Sequence, residues 1–476
     1  QNQMHKFKII QGGMGVAISD WKLAQSVSKE GQLGVVSGTG IHLIMIARLM
    51  EGDIGGHIRR ALSHFPFHDP VQWILKKYYR ENPEKGATYK RPPMWSFKPS
   101  KALNELVVVA NFVETFLAKE GHDNPVGINL LEKVQMPTMA SLYGAMLAGV
   151  DYVIMGAGIP LQIPGILDKL ANHEKVNYRM DVKGADSGDS FLMDFDPKAI
   201  FSSIAEKAQN LLRPNFLPII SSVVLAKTLI RRSTGKVNGF VVEGHIAGGH
   251  NAPPRGKMYL DENGEPIYGE KDTPRLDKIK ELGLPFWIAG GFASPKRLKE
   301  AQDAGAEGIQ AGTIFAFANE SGMTDNEKKS VIQKVVDEET VVFTDPRVSP
   351  TGYPFKVVQM EKTMSTPAIY EARPRLCDIG LLREAYKRDD GKIGYRCAAE
   401  PKDQYVKKGG KDEDTEGRGC LCNNLCASAG FPQHRKDGYV EQPLVTAGNW
   451  LPYLGRVFKE GNREYSAKDV LDYLLS

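Results

Sequence analysis

The sequence predicts an α/β fold: a closed TIM (β/α)8 barrel with an insertion and a C-terminal extension. Three observations carry this. Eight short apolar runs recur between residues 7 and 313 of the 476. They are continuously hydrophobic rather than alternating, as strands buried on both faces are. Most are followed by a helical pattern, so the strands are parallel and joined by crossover helices. Eight such units are the number that closes a TIM-type barrel; an open doubly wound sheet is the alternative.

In order, the runs are "FKII" (7–10), "LGVVSG" (33–38), "VGINLL" (126–131), "DYVIMG" (151–156), "LPIISS" (217–222), "GFVVEG" (239–244), "PFWIAGG" (285–291) and "GIQAGT" (308–313). Helix candidates lie between them at 19–31, 136–149 and 294–305. In the last, Ser294 suits the N-cap, Pro295 the first helical position and Gly305 the C-terminal stop. Residues 1–50 thus begin the barrel and 106–335 complete it, with a hairpin or lid near 175–200. Residues 51–105, rich in Pro and aromatics, are too long for a plain connection and read as an insertion near the active face. Their stretch "WILKKYYRENPEKGATYKRPPMWSF" reads as a solvated loop rather than a nucleotide or carrier contact. Residues 336–476 lose the strand–helix rhythm and form the extension.

Composition excludes several classes. With 42% hydrophobic and 25% charged residues the chain is ordinary and globular. A net charge of +4 gives no nucleic-acid footprint. No apolar run approaches the roughly 18 residues of a membrane span. No leader-like segment is visible, and the five cysteines are too few for a secreted disulfide scaffold. These features point to a cytoplasmic protein acting on a small molecule, away from membranes and expected as a homo-oligomer.

The chemistry of a barrel collects at the carboxyl ends of its strands. After the first strand, "IIQGGMGVAIS" places Gly12 and Gly13 beside Met14, leaving backbone open to a flat ligand. After the seventh and eighth strands, Gly290, Gly291, Gly312 and Thr313 occupy the loops that often hold a phosphate in this fold. The sixth strand ends in "EGHIAGGHNAPPRG". Glu243, Gly248, Gly249 and His250 would face the same mouth, where an imidazole can move a proton near neutral pH. His245 reads equally well as a loop hydrogen-bonder.

These stretches, with "MGAGIP", "SSVVLAK" and "IAGGFASPKRLKEAQDAGAEGIQAGTIF", resemble the FMN-dependent nitronate monooxygenase family, relatives of the flavin enoyl-acyl-carrier-protein reductases. The resemblance covers roughly 1–50 and 120–320. It implies an FMN oxidoreductase that oxidises alkyl nitronates with oxygen to a carbonyl compound and nitrite. An NAD(P)H-dependent enoyl-thioester reductase and a flavoprotein subunit of a larger redox assembly are the alternatives. The resemblance puts Gly13, Met14 and Asn129 at the flavin ring and Glu243, Gly248 and Gly249 near the ring or ribityl chain. The phosphate falls to Gly290, Gly291, Gly312 and Thr313, and catalysis to His250. The extension and the long insertion depart from common family members, so substrate identity carries over poorly.

All five cysteines fall in the extension. Cys377, Cys397, Cys420 and Cys422 could close a tetrahedral site for zinc or anchor an iron–sulfur cluster, with Cys426 spare. Isolated reduced cysteines packed as small hydrophobes are the plainer reading.

Overall fold

The structure is a computed structural model and describes residues 4–204 and 209–476. Its centre is an eight-stranded parallel sheet: β1 (Ile9–Gln11), β2 (Gly34–Ser37), β3 (Val126–Leu131), β4 (Tyr152–Gly156), β5 (Asn215–Ile220), β6 (Phe240–Glu243), β7 (Phe286–Ala289) and β8 (Gly308–Ala311). Each of the eight apolar runs overlaps one strand. The spatial order is β1-β8-β7-β6-β5-β4-β3-β2. The ring is completed where Ile10 bridges Leu33, with Gln11 N donating to Leu33 O at 2.9 Å and Leu33 N to Ile9 O at 3.0 Å. The sheet is therefore a TIM barrel and not the open alternative.

Side chains alternate across each strand, so every second residue enters the barrel. Ile10, Val35, Tyr152, Ile154, Leu217, Val241, Trp287 and Ala289 fill its lower interior with Phe7. Phe7 stacks on Trp287, with ring centroids 4.9 Å apart, and the Trp287 indole N–H donates to Phe7 O at 3.2 Å. This plug forces the open space to the other end. One step of the alternation beyond Val241 is Glu243, and one beyond Gly308 is Gln310; both reach the carboxyl rim.

The helix Lys101–Lys119 packs closely on Thr138–Leu147. Gly144 makes this possible, since a Cβ there would lie 2.1 Å from Val108 O. Residues 51–105 form short helices at His57–Leu62 and His68–Tyr78, then an extended run. That run braces the C-terminal segment. Arg91 pairs with Asp378 at 3.1 Å, Tyr89 N donates to Gln433 Oε1 at 2.8 Å, and Phe97 N donates to the Tyr395 hydroxyl at 2.8 Å. Near 175–200 the chain does form a hairpin, Val176–Arg179 against Leu192–Phe195.

After the barrel, β9 (Val342–Asp345) and β10 (Phe355–Val358) pair antiparallel. The rest of the extension is loops with few regular elements, ending in the helix Ala467–Leu474. That helix packs on Trp21–Lys29 and is capped by Ser466 and Asp469 in a reciprocal box. Among the described residues no helix is long and apolar enough to cross a membrane.

Candidate active site

A cavity of about 280 Å³ opens at the carboxyl rim of the barrel. Pockets for small ligands run from about 300 Å³ upward, so this is a cleft of ligand scale. Its lining includes every residue expected from the sequence to meet a cofactor: Gly12, Gly13, Met14, Asn129, Glu243, Gly248, Gly249, Gly290, Gly291, Gly312 and Thr313, together with His250. The four rim loops thus converge, although they are separated by up to three hundred residues. His245 is absent from the lining. It stacks on Tyr268 at 4.2 Å between centroids, outside the cavity. No residue of 51–105 lines the cavity, nor does the 175–200 hairpin.

The glycines do different jobs. A Cβ at Gly248 would come within 2.9 Å of Gly448 N, so its missing side chain makes room for the chain's own backbone rather than for a ligand. Gly290 has φ +90°, and a Cβ there would lie 2.9 Å from Gly244 O. Gly290→Ala therefore combines about 1–3 kcal/mol of backbone strain with a clash against β6's loop. The expected result is a lowered unfolding midpoint and weakened cofactor retention, read by thermal melts and flavin absorbance of the purified variant.

His250 sits in a frame that the extension provides. Its Nε2 lies 2.7 Å from Ser349 Oγ, and its ring meets Phe355 edge-on at 4.8 Å. Ser349 is fully buried and bonds Thr351 Oγ1 at 2.7 Å. Burial pulls the imidazole down to about 4, so it is neutral at physiological pH. Lys356, also from β10, threads beneath the loop. Its ammonium donates to His245 O and, at 3.0 Å, to Asn251 Oδ1, while its backbone N donates to Gly249 O at 3.1 Å. Thr446 Oγ1 accepts from Gly249 N at 2.8 Å, and Thr313 Oγ1 from Gly448 N at 2.8 Å. Thr313 therefore spends its hydroxyl at least partly on the extension.

Glu243 is held uncharged by burial, its carboxyl pushed up to about 8 and only partly relieved by Lys356. Between the unfolded value of 4.5 and about 8 the folded state binds the extra proton, so this contribution to stability is lost as pH rises through that window. Glu243→Gln should remove it. The variant is expected to gain stability relative to the parent as melts move from pH 5 to pH 8; an unchanged difference would refute a buried neutral carboxyl.

Sequence reasoning missed Ser349, Lys356 and Thr446, which hold the His250 loop, and the wall formed by Leu381, Leu382, Leu421 and Trp450. No local pattern marks them, because each acts only through a contact about a hundred residues or more away along the chain.

The cavity leaves room for a flat, mostly apolar guest. Cβ atoms added at Gly12, Gly249 or Gly312 would meet nothing closer than 3.5 Å. Gln310 lines the cavity with Oε1 buried and, among the described residues, without a hydrogen-bond partner. An imide-like N–H of a ligand would satisfy it. Flavin mononucleotide has that chemistry.

The family model for nitronate monooxygenase matches residues 170–359, which span β5 to β10 and include the whole His250 loop. Over these residues the chain is similar to the nitronate monooxygenase family. Among curated proteins, an octahydro-indene-carboxyl-CoA dehydrogenase of Mycobacterium tuberculosis is 30% identical over 190 residues, 39% of this chain and 48% of that protein. A probable nitronate monooxygenase of Staphylococcus haemolyticus is 31% identical over 107 residues, 22% of this chain and 28% of that protein. The chain thus spans about half the length of the first and about a quarter of the second. Among solved structures, FabK from Thermotoga maritima gives a TM-score of 0.45 at 16% identity, covering 99% of this chain and 92% of that one. A nitroalkane oxidase from Streptomyces ansochromogenes gives 0.46 at 13%, covering 99% and 95%.

Proposed function

We propose that the chain is an FMN-dependent oxidoreductase that oxidises alkyl nitronates or their parent nitroalkanes. The observation that carries the proposal is the neutral imidazole of His250, held at the rim cavity inside the region matching the nitronate monooxygenase family. Bound FMN supplies the electron-accepting chemistry. Gly13, Met14 and Asn129 would support the ring, with Gln310 satisfied by it, while Gly290, Gly291, Gly312 and Thr313 would take the phosphate end.

The chain's own part is proton control. Ser349 engages Nε2, which leaves Nδ1 as the nitrogen for a substrate. If Ser349 donates to Nε2, Nδ1 carries the proton and hydrogen-bonds the oxyanion of a nitronate. If Ser349 accepts from Nε2–H, the bare Nδ1 is a base for the acidic C–H of a nitroalkane. The neutral Glu243 carboxyl adds a second donor without repelling an anion. Apolar walls from Leu381, Leu382 and Leu421 keep water from the reacting carbon. Mixing the flavin-loaded protein anaerobically with propionate 3-nitronate should bleach the flavin; a flavin that stays oxidised rejects this reading.

A second reading follows from the mycobacterial relative, named as a CoA-thioester dehydrogenase and matched over the longer of the two curated stretches. It makes this chain an NAD(P)H-linked oxidoreductase of acyl thioesters, with His250 moving the proton at the activated carbon. Bleaching by NADPH or NADH followed by reoxidation with a crotonyl thioester selects it. A redox-assembly subunit would show neither reaction and would retain a partner through purification.

A further inference from the structure

Cys377, Cys397, Cys420 and Cys422 come together although they lie on three separate segments. Cys377 follows the helix Pro367–Ala372. Cys397 ends the strand Ile393–Arg396. Cys420 caps the helix Leu421–Ser428, and Cys422 is its second residue. All four line one small cavity of about 10 Å³. That is the room of a single water-sized guest. Cys422 lies within electrostatic reach of the other three, and Cys377 and Cys397 each lie within reach of Cys420. Cys426 is buried nearby but does not line the cavity. None of the five is in a disulfide.

Polar groups are already aimed at the sulfurs. The Ala399 N–H bonds Cys397, the Leu382 N–H bonds Cys422, and Asn423 Nδ2 donates to Cys420 Sγ at 3.4 Å. Such donors favour thiolate, the form that binds metal. The start of an α-helix beneath Cys420 and Cys422 acts in the same sense. Arg373 lies near Cys420 and Arg383 near Cys377; the one carboxylate lining the cavity, Glu400, is paired with Lys408 at 2.7 Å. As they stand, no three His, Cys, Asp or Glu side chains among the described residues are set closely enough to hold an ion. The four cysteines line the same small cavity, and holding an ion would require their sulfurs to draw together.

We infer that these four thiolates bind a single thiophilic metal ion, of the zinc class, as a closed structural site. The size of the cavity argues for one ion rather than a cluster of iron and sulfide. Four protein ligands leave no position open for a substrate. The site has a clear structural task. The loop-rich extension has little regular structure to hold it, and Leu382, Leu421 and Cys422 line both this cavity and the large one at the barrel rim. An ion here would fix that shared wall.

The test is metal analysis of the purified full-length chain by mass spectrometry, with flavin content read separately from its visible spectrum. About one zinc per chain is expected. Cys397→Ser should cut it at least tenfold, while Cys426→Ser should leave it unchanged. Should Cys397→Ser fail to fold, titration of the parent with a mercurial reagent replaces it: zinc should be released in step with modification of four thiols. A folded, flavin-loaded chain without metal overturns the inference, and leaves the flavin reading intact. Iron with acid-labile sulfide overturns the single-ion assignment. Metal without flavin would support this site while counting against the proposed function.

Discussion

His250→Ala is expected to lower kcat by about 10²–10⁴-fold, the usual worth of a positioned acid or base, while the purified variant keeps its flavin. The physical reason is location. His250 lines the cavity, but its ring bonds Ser349 and not any group that would hold a cofactor. Loss of flavin together with activity would instead mean that the imidazole supports the loop. The pH profile gives a second check. Burial pulls His250 from 6.5 to about 4, so the free protein should show no acid limb near 6.5 attributable to this group, only one near 4. Between those values the unfolded chain binds the proton and the folded one does not. This contribution to stability is thus complete above 6.5 and is lost as pH falls toward 4. His42, buried and also lowered to about 4, adds a loss in the same window. Ser349→Ala should change the rate less than His250→Ala and should shift the pH profile, because it frees Nε2 without removing the ring.

Lys356→Met is expected to be the most damaging substitution outside the cavity. Lys356 is 1% exposed, and its ammonium serves His245 O and Asn251 Oδ1. Methionine matches its length and supplies no donor. The buried Asn251 Oδ1 would be left unpaired at about 1–3 kcal/mol, and the half-buried His245 O would lose its donor. Asn251 in turn holds Ala247 O at 2.9 Å, so the disturbance travels directly into the glycine loop before His250. A fall of several degrees in the unfolding midpoint, with weaker flavin retention, is the expected result. A variant with the parent's midpoint and full flavin would show that the β10 backbone bonds hold the loop without the ammonium.

Both predictions turn on contacts between the barrel and the extension, and this is where sequence reasoning stopped. The eight strands were legible because burial on both faces leaves continuous apolar runs, a local property. The rim residues were legible because a parallel barrel sends every loop after a strand to the same end. Gly248 shows the limit. A glycine pair announces close approach, but the approaching group is the backbone at Ala447 and Gly448. Residues 51–105 show it again: their length announces an insertion, and their observed contacts brace the cysteine-bearing segment while the cavity is lined by others.

By itself, then, the sequence determined the barrel, its working end and the histidine placed there, because each follows from periodicity and chain direction. Only the tertiary structure decided that Ser349 and Lys356 position the His250 loop, that His245 stands aside against Tyr268, and that four distant cysteines share one cavity. Those outcomes depend on how an extension without regular periodicity folds back over the barrel, and nothing local in a chain specifies which remote segment a loop will meet.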